Sequence, residues 1–267
     1  MDLELAGKRA LVTGGSRGIG KAIARALAEE GVRVVISSRD GAAGAATAAD
    51  LARDTGSEVH ALVADTRDDA EVDALVAGAV ALLGGLDIVV NNAARPGSAA
   101  PTTHGIAGVA SEYLLDELNT KLVGYLRVAR AAAPHLVANG WGRIINISGL
   151  AARQSGTIAG SARNVAVSAF TKNLADELGP KGVNVTVVHP GATRTERTTE
   201  TVSRKAAAEG ITPADAEKAL YGHSLIGRIV EAEEVAAVVT FLASPRSVAI
   251  NGDAIAAGGG SPRAIHY

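Results

Sequence analysis

At 267 residues, with 47% apolar and 20% charged side chains and a formal net charge of −2, the chain can build one large core. The same figures exclude a disordered segment and give no reason to expect a nucleic-acid or anionic-membrane partner. It has no cysteine, which excludes disulfides, thiolate catalysis and cysteine-based zinc sites and fits a reducing cytoplasm, the expected location.

The opening Met1-Asp2-Leu3-Glu4 lacks the basic-then-apolar pattern of a signal peptide, so export is not expected. A first strand over Ala10-Leu11-Val12 runs into Thr13-Gly14-Gly15-Ser16-Arg17-Gly18-Ile19-Gly20. Gly14 permits a sharp turn, Gly18 lets backbone amides approach phosphate oxygens, and Gly20 lets the next helix pack close to the sheet. Ile19, Ala22, Ile23, Ala26 and Leu27 have helical spacing, closed by Gly31, and the positive end of that helix faces the bound anion. This pattern predicts a dinucleotide site.

Further strands are expected at Val34-Val35-Ile36, Val59 to Val63, Ile88-Val89-Val90, Ile144-Ile145-Asn146-Ile147 and Val183 to Val188, with helical patterns between them. Strand and helix alternate, which predicts an α/β fold: a doubly wound parallel sheet with helices on both faces, in a single domain spanning 1–267. The uncharged stretch from Ala74 to Leu86 is too short to cross a bilayer and reads as a surface helix running into a strand. Long helices are expected over Glu112 to Leu136 and Ile158 to Leu178. Two segments, 95–108 and 194–225, break the pattern with Gly, Pro, Ser and Thr. Both are expected at the carboxyl edge of the sheet, on the substrate side.

The glycine loop, Asn91-Asn92-Ala93-Ala94 after the fourth strand, Pro190-Gly191 with Thr195 after the sixth, and Asn251-Gly252 near the end together resemble the short-chain dehydrogenase/reductase family over nearly the whole chain. The resemblance implies a Rossmann-type domain, a nicotinamide cofactor, a small-molecule substrate and a homo-oligomer built on two long helices, a tetramer first and a dimer second. Candidate cofactor contacts are Gly14, Ser16, Arg17, Gly18, Ile19, Gly20, Ser38, Arg39, Asp65, Thr66, Asn91, Ala93, Pro190, Gly191, Thr193 and Thr195. Asp65 resembles the residue that meets adenine, and Asn91 and Ala93 resemble those lining the adenosine ribose; Asp65 as a helix cap near Asp68 is the alternative. NAD-binding forms carry an acidic side chain after the second strand, where this chain has Ser38 and Arg39. With Arg17, two guanidinium groups can flank a 2′-phosphate, so NADP(H) is expected rather than NAD(H).

The resemblance fails at the usual Asn, Ser and Tyr-x-x-x-Lys residues. None of Tyr113, Tyr125, Tyr221 and Tyr267 has a lysine four residues later. Anchoring on Phe170-Thr171-Lys172 puts Gly160 at the tyrosine place and Asn164 at the lysine place; Lys121 falls at the asparagine place and Gly149 at the serine place, with Ser148 next door. Lys121, Ser148 and Asn164 are therefore the candidate catalytic residues of a rewired site, Lys121 as an acid of lowered pKa and Ser148 as a hydrogen-bond donor to developing charge. Gly156 and Gly160 are expected to enlarge the pocket. A small carbonyl, imine or conjugated substrate is implied, with imines and enones favoured because they need less acid catalysis. The alternative is a catalytically silent NADP(H)-binding subunit or sensor partnering an active homologue; a lyase or dehalogenase on the same scaffold is a third reading, opposed by the open glycine loop. The histidines, His60, His104, His135, His189, His223 and His266, lack metal-binding spacing, and no metal is expected. His104 and His223 sit in the two segments expected near the pocket and are candidate substrate contacts, and the resemblance puts the tail, with Tyr267, near a neighbouring subunit's pocket; ordinary loop and terminal positions are the alternative.

Overall fold

The computed structural model describes residues 1–94, 106–222 and 224–262. Its strands and helices alternate as β1 (Arg9–Thr13), α1 (Gly18–Glu29), β2 (Arg33–Ser38), α2 (Gly41–Thr55), β3 (Val59–Val63), α3 (Asp69–Leu83) and β4 (Ile88–Asn91). After the segment that lies partly outside the described residues come α4 (Ser111–Leu118), α5 (Gly124–Ala138), β5 (Gly142–Ile147), α6 (Ile158–Leu178) and β6 (Val183–Pro190). The C-terminal part adds β7 (Thr193–Arg194), α7 (Glu196–Glu209), α8 (Pro213–Tyr221), β8 (Val230–Glu231), α9 (Ala232–Ala243) and β9 (Ala254–Ala257).

Seven strands form one parallel sheet in the order β3-β2-β1-β4-β5-β6-β9. Successive side chains of a strand point to opposite faces, and here both faces are covered, so the central strands are mostly apolar rather than alternating. Val12, Val34, Ile36, Val90 and Val188 face α1 and α9, packing on Ile23, Leu27, Val235 and Val239. Leu11, Val35, Val89, Ile144 and Val185 face the other way, onto Val72, Leu75, Leu83, Val128 and Leu136.

Strand order reverses between β1 and β4, where β1 hydrogen-bonds β2 on one side and β4 on the other. The connections leaving the two strands diverge to opposite faces and open a crevice beyond their carboxyl ends. Gly14 and Gly18 sit there with φ of +66° and +54°, and Gly20 fixes how close α1 comes: a Cβ at Gly20 would stand 2.3 Å from Gly14 O. Thr13 Oγ1 accepts hydrogen bonds from the backbone N–H groups of Asn92 and Ala93, while Asn92 Nδ2 donates to Thr13 O and Gly14 O. The two loops at the reversal thus hold each other.

Several elements differ from the sequence expectation. The helix expected over Glu112 to Leu136 is divided by a π-helical turn over Asn119–Val123. One extra residue in a turn rotates the following face by about 100°. β9 was not anticipated, because Ala254-Ile255-Ala256-Ala257 carries one large side chain and gains strand character only by pairing with β6. The cap of α3 is Asp68, whose side chain accepts from the Glu71 N–H, and not Asp65. Among the described residues no helix is long and apolar enough to cross a membrane.

Gly20→Ala places a methyl group against the Gly14 backbone and Asn92, which cannot move without opening the crevice. Chemical denaturation is expected to show a loss of about 1–3 kcal/mol, and an unchanged midpoint would mean that α1 is not held by this approach.

Candidate functional site

A cleft of about 780 Å³ lies over the carboxyl ends of β1, β2, β4, β5 and β6, within the usual size range of small-molecule and cofactor sites. Gly14, Ser16, Arg17, Gly18, Ile19, Gly20, Ser38, Arg39, Asp65, Thr66, Ala93, Pro190, Gly191 and Thr195 all line it, as do Lys121, Ser148 and Asn164. Two candidate contacts do not. Asn91 is fully buried below the floor, where its Nδ2 donates to Asn146 Oδ1; the neighbouring Asn92 lines the cleft instead. Thr193 lies in β7, away from the cleft lining, and its hydroxyl donates to Gly191 O.

At one end of the cleft the chain presents donors and cations. Arg17 precedes α1 and Arg39 follows β2; both are exposed at the rim and neither is paired with a carboxylate among the described residues. Asp65 is held by the Arg67 guanidinium through Nε and Nη2, which keeps its carboxyl below the usual range, with the Arg39 charge acting in the same direction. α1 has no acidic residue in its first turn. Its leading amide, Gly18 N–H, is instead met by the Glu196 carboxylate from the start of α7, at 3.1 Å to Oε2. A carboxylate there satisfies both an orphan helix donor and the positive end of the helix dipole.

At the other end a lysine is buried in the wall. Lys121 occupies the π-helical turn, only 4% exposed, and its Nζ donates to Ser148 O at 2.9 Å and Asn164 Oδ1 at 3.0 Å. Burial, and next the charge of Arg163, push its pKa down to about 7, against an opposing pull from Glu117. Arg163 is ion-paired to Glu117, one helical turn before Lys121. Two rungs, Glu117 with Arg163 and Lys121 with Asn164, therefore join the α4–π segment to α6. Ser148 sits beside them, but its hydroxyl donates to the Asn164 backbone O at 3.1 Å. That proton is committed, so the expected donation from Ser148 toward substrate is not what this geometry offers.

Two more expectations are corrected. Gly160 does not line the cleft: it lies in the first turn of α6, where its N–H meets Thr157 Oγ1, and a Cβ would stand 2.6 Å from that oxygen. Gly156 borders a separate hollow with Gln154, Thr157 and Ile158. Neither glycine enlarges the main cleft. Tyr125, one turn after Lys121, donates its hydroxyl to Ile147 O and is buried in the core, which pushes its pKa far up. It lies outside the cleft lining. His189 is buried, with Nε2 facing Ser168 Oγ; His104, His223, His266 and Tyr267 lie outside the described residues. Among the described residues no group of acidic or histidine side chains could hold a metal.

Sequence reasoning missed Glu117, Arg163 and Glu196. The spacing of Glu117 and Lys121 and the adjacency of Arg163 and Asn164 were visible, but their meeting depends on two helices packing side by side.

A cleft at the strand reversal, floored by a glycine loop and walled by the helix after β5, defines a nucleotide-dependent oxidoreductase architecture, and the comparisons agree. The family model for short chain dehydrogenase matches residues 8–206, so the chain belongs to that family. The 3-oxoacyl-acyl-carrier-protein reductase FabG of Pseudomonas aeruginosa is 34% identical over 260 residues, covering 97% of this chain and 98% of its own. Among solved structures, L-sorbose reductase from Gluconobacter frateurii complexed with NADPH and L-sorbose aligns with a TM-score of 0.92 at 28% identity, covering 99% of this chain and 100% of that one. An actinorhodin polyketide ketoreductase variant with NADPH gives 0.85 at 33% identity, covering 94% and 96%.

Proposed function

We propose that the protein is an NADP(H)-dependent reductase of small carbonyl compounds in which Lys121 takes the part of proton donor. One observation carries the reading: a lysine of pKa about 7 stands in the cleft wall with two fixed acceptors, Ser148 O and Asn164 Oδ1. A neutral amine has two N–H bonds and one lone pair, so those acceptors use both hydrogens. The ammonium form has one proton more. Bound nicotinamide would supply the hydride; Lys121 gives its extra proton to the developing alkoxide oxygen and returns to the amine, and in the reverse direction the lone pair accepts it.

The residues fit such a cofactor. Gly14, Gly18 and Gly20 leave the loop open, the end of β2 carries Ser38 where a carboxylate would repel a 2′-phosphate, and the Arg17 and Arg39 forks have no carboxylate partner among the described residues at that rim. The NADPH complexes of L-sorbose reductase and the polyketide ketoreductase support the same cofactor. The candidate catalytic positions also fit one another: a Cβ at Gly149 would stand 3.0 Å from Asn164 Nδ2. Glycine at 149, asparagine at 164 and lysine at 121 form one compatible set, which favours a coordinated rewiring over independent loss.

The second reading, a silent NADP(H)-binding subunit partnering an active homologue, is favoured by the internal satisfaction of the Ser148 hydroxyl and both amine hydrogens of Lys121. Imines and conjugated olefins stay in the substrate panel because they need less proton donation. One domain over 1–267, with 194–225 and the segment 95–108, of which 95–105 lie outside the described residues, on the substrate side, completes the reading. Leu115, Leu126, Ile158 and Val165 are exposed on α4, α5 and α6, and we assign that apolar surface to a homotetramer, with a dimer second.

Four outcomes are expected. Ketone reduction, which needs protonated Lys121, should fall as pH rises through about 7, while alcohol oxidation should rise over the same interval; matching profiles in both directions would remove Lys121 from the chemistry. Lys121→Met should lower kcat about 10²–10⁴-fold with NADPH affinity retained by calorimetry, whereas full turnover would leave the silent subunit or another donor. Because a bound pyrophosphate would compete with the Glu196 carboxylate for the Gly18 N–H, Glu196→Gln should tighten NADPH binding several-fold, and weaker binding would show that Glu196 helps to seat the cofactor. Gel filtration at micromolar concentration should give an oligomer; a monomer refutes the assembly.

A further inference from the structure

Arg163 holds more hydrogen-bonding capacity than the described residues use. Its guanidinium has five N–H donors in a rigid fork. Nη1 meets Glu117 through a single oxygen, Oε2; Nε is buried without an acceptor, and no described residue engages Nη2. The side chain is only 11% exposed, yet it lines the cleft, one residue before Asn164 and beside Lys121. Nε is a buried orphan, which is costly, whereas Nη2 is not among the buried unpartnered atoms and is the arm that a ligand in the cleft can reach.

The charge of the surroundings points the same way. Among the described residues, the acidic side chains lining the cleft are Asp65, paired with Arg67, and Glu196, set on Gly18 N–H. The rest of the charged lining is cationic: besides the rim residues Arg17 and Arg39 it holds Lys121, Arg163, Arg197 and Arg228, the last paired to Glu234. Glu117, which does not line the cleft, offsets the formal charge of Arg163 but accepts from one arm of the fork only. A neutral ketone gains little from such a wall. An anion gains charge-assisted bonds in a place partly shielded from water.

We propose that Arg163 determines substrate specificity by receiving a carboxylate close to the reacting carbonyl, so that the preferred substrates are α-keto or β-keto acids. The proposal rests on the reductase reading above and narrows it to a charged substrate class. Arg163 here binds and orients the acid; the proton transfer remains with Lys121. Both side chains line the cleft, and Lys121 bonds Asn164, the residue next to Arg163, which brings the two within reach of one small molecule.

The test compares short-chain α-keto and β-keto acids with their own methyl esters, using NADPH and the full-length protein. The wild type is expected to favour each acid over its ester in kcat/KM by about ten- to a hundredfold, the worth of a hydrogen bond to a charged group, with the difference mainly in KM. Because Arg163→Gln alone strands the buried Glu117, the double variant Arg163→Gln with Glu117→Gln is used, and its acid-to-ester ratio should drop toward unity. Equal use of acid and ester by the wild type, or an acid preference that survives in a folded double variant, overturns the proposal while leaving the reductase standing. If no compound is turned over although NADPH binds, the reductase reading fails instead. Calorimetric titration of the same acids and esters into the NADPH complex then decides the matter: acid binding that the double variant loses supports the Arg163 site, and its absence in the wild type sinks it.

Discussion

The buried amine of Lys121 sets the terms for everything around it. Removing an ammonium from water is expensive, and a protein reduces that cost by lowering the pKa and by supplying acceptors. Here the acceptors come from two different elements, the chain just after β5 and the side chain of Asn164 on α6, while the lysine itself comes from the π-helical turn between α4 and α5. Three segments distant in sequence are tied at one atom. The Glu117–Arg163 pair forms the second tie between the same helices. A π-helical turn, which sacrifices regular helix geometry, is the local distortion that goes with burying Lys121 at that point.

The opposite end of the cleft obeys a different constraint. At the strand reversal the backbone must turn tightly and leave its amides accessible, which glycine permits and most side chains prevent. Thr13 and Asn92 lock the adjoining loops by hydrogen bonds to backbone groups, so the loop is open without being loose. In this structure its leading amide is held by Glu196. A carboxylate and a phosphate ask for the same donors, so the first turn of α7 is coupled to whatever anion the loop receives.

These two ends give the proposed function its physical form. One end offers amides and guanidinium groups to a phosphorylated cofactor; the other offers a lysine whose proton is easily given up near neutral pH. The cationic side chains around Lys121 then bear on the choice of substrate, through Arg163 above all. In that reading the protein keeps the scaffold of its family and assigns proton donation to an amine in place of a phenol.

The amino-acid pattern by itself determined the parallel sheet, its first six strands and the glycine loop, because hydrophobic periodicity and glycine-rich turns act over a few residues, while most of the further cleft residues were named by the family resemblance. α6 over Ile158–Leu178 was legible to its ends, since Thr157 caps it and Gly179 follows it. Tertiary structure decided what spacing could not show: that Asn91 points into the floor, that Ser148 spends its proton on Asn164, that Gly160 opens no space, and that β9 becomes a strand at all. It also decided that Glu117, Lys121, Arg163 and Asn164 form one cluster. Each of these facts depends on which elements pack side by side, and burial, partner and pKa are properties of the packed neighbourhood rather than of the residue.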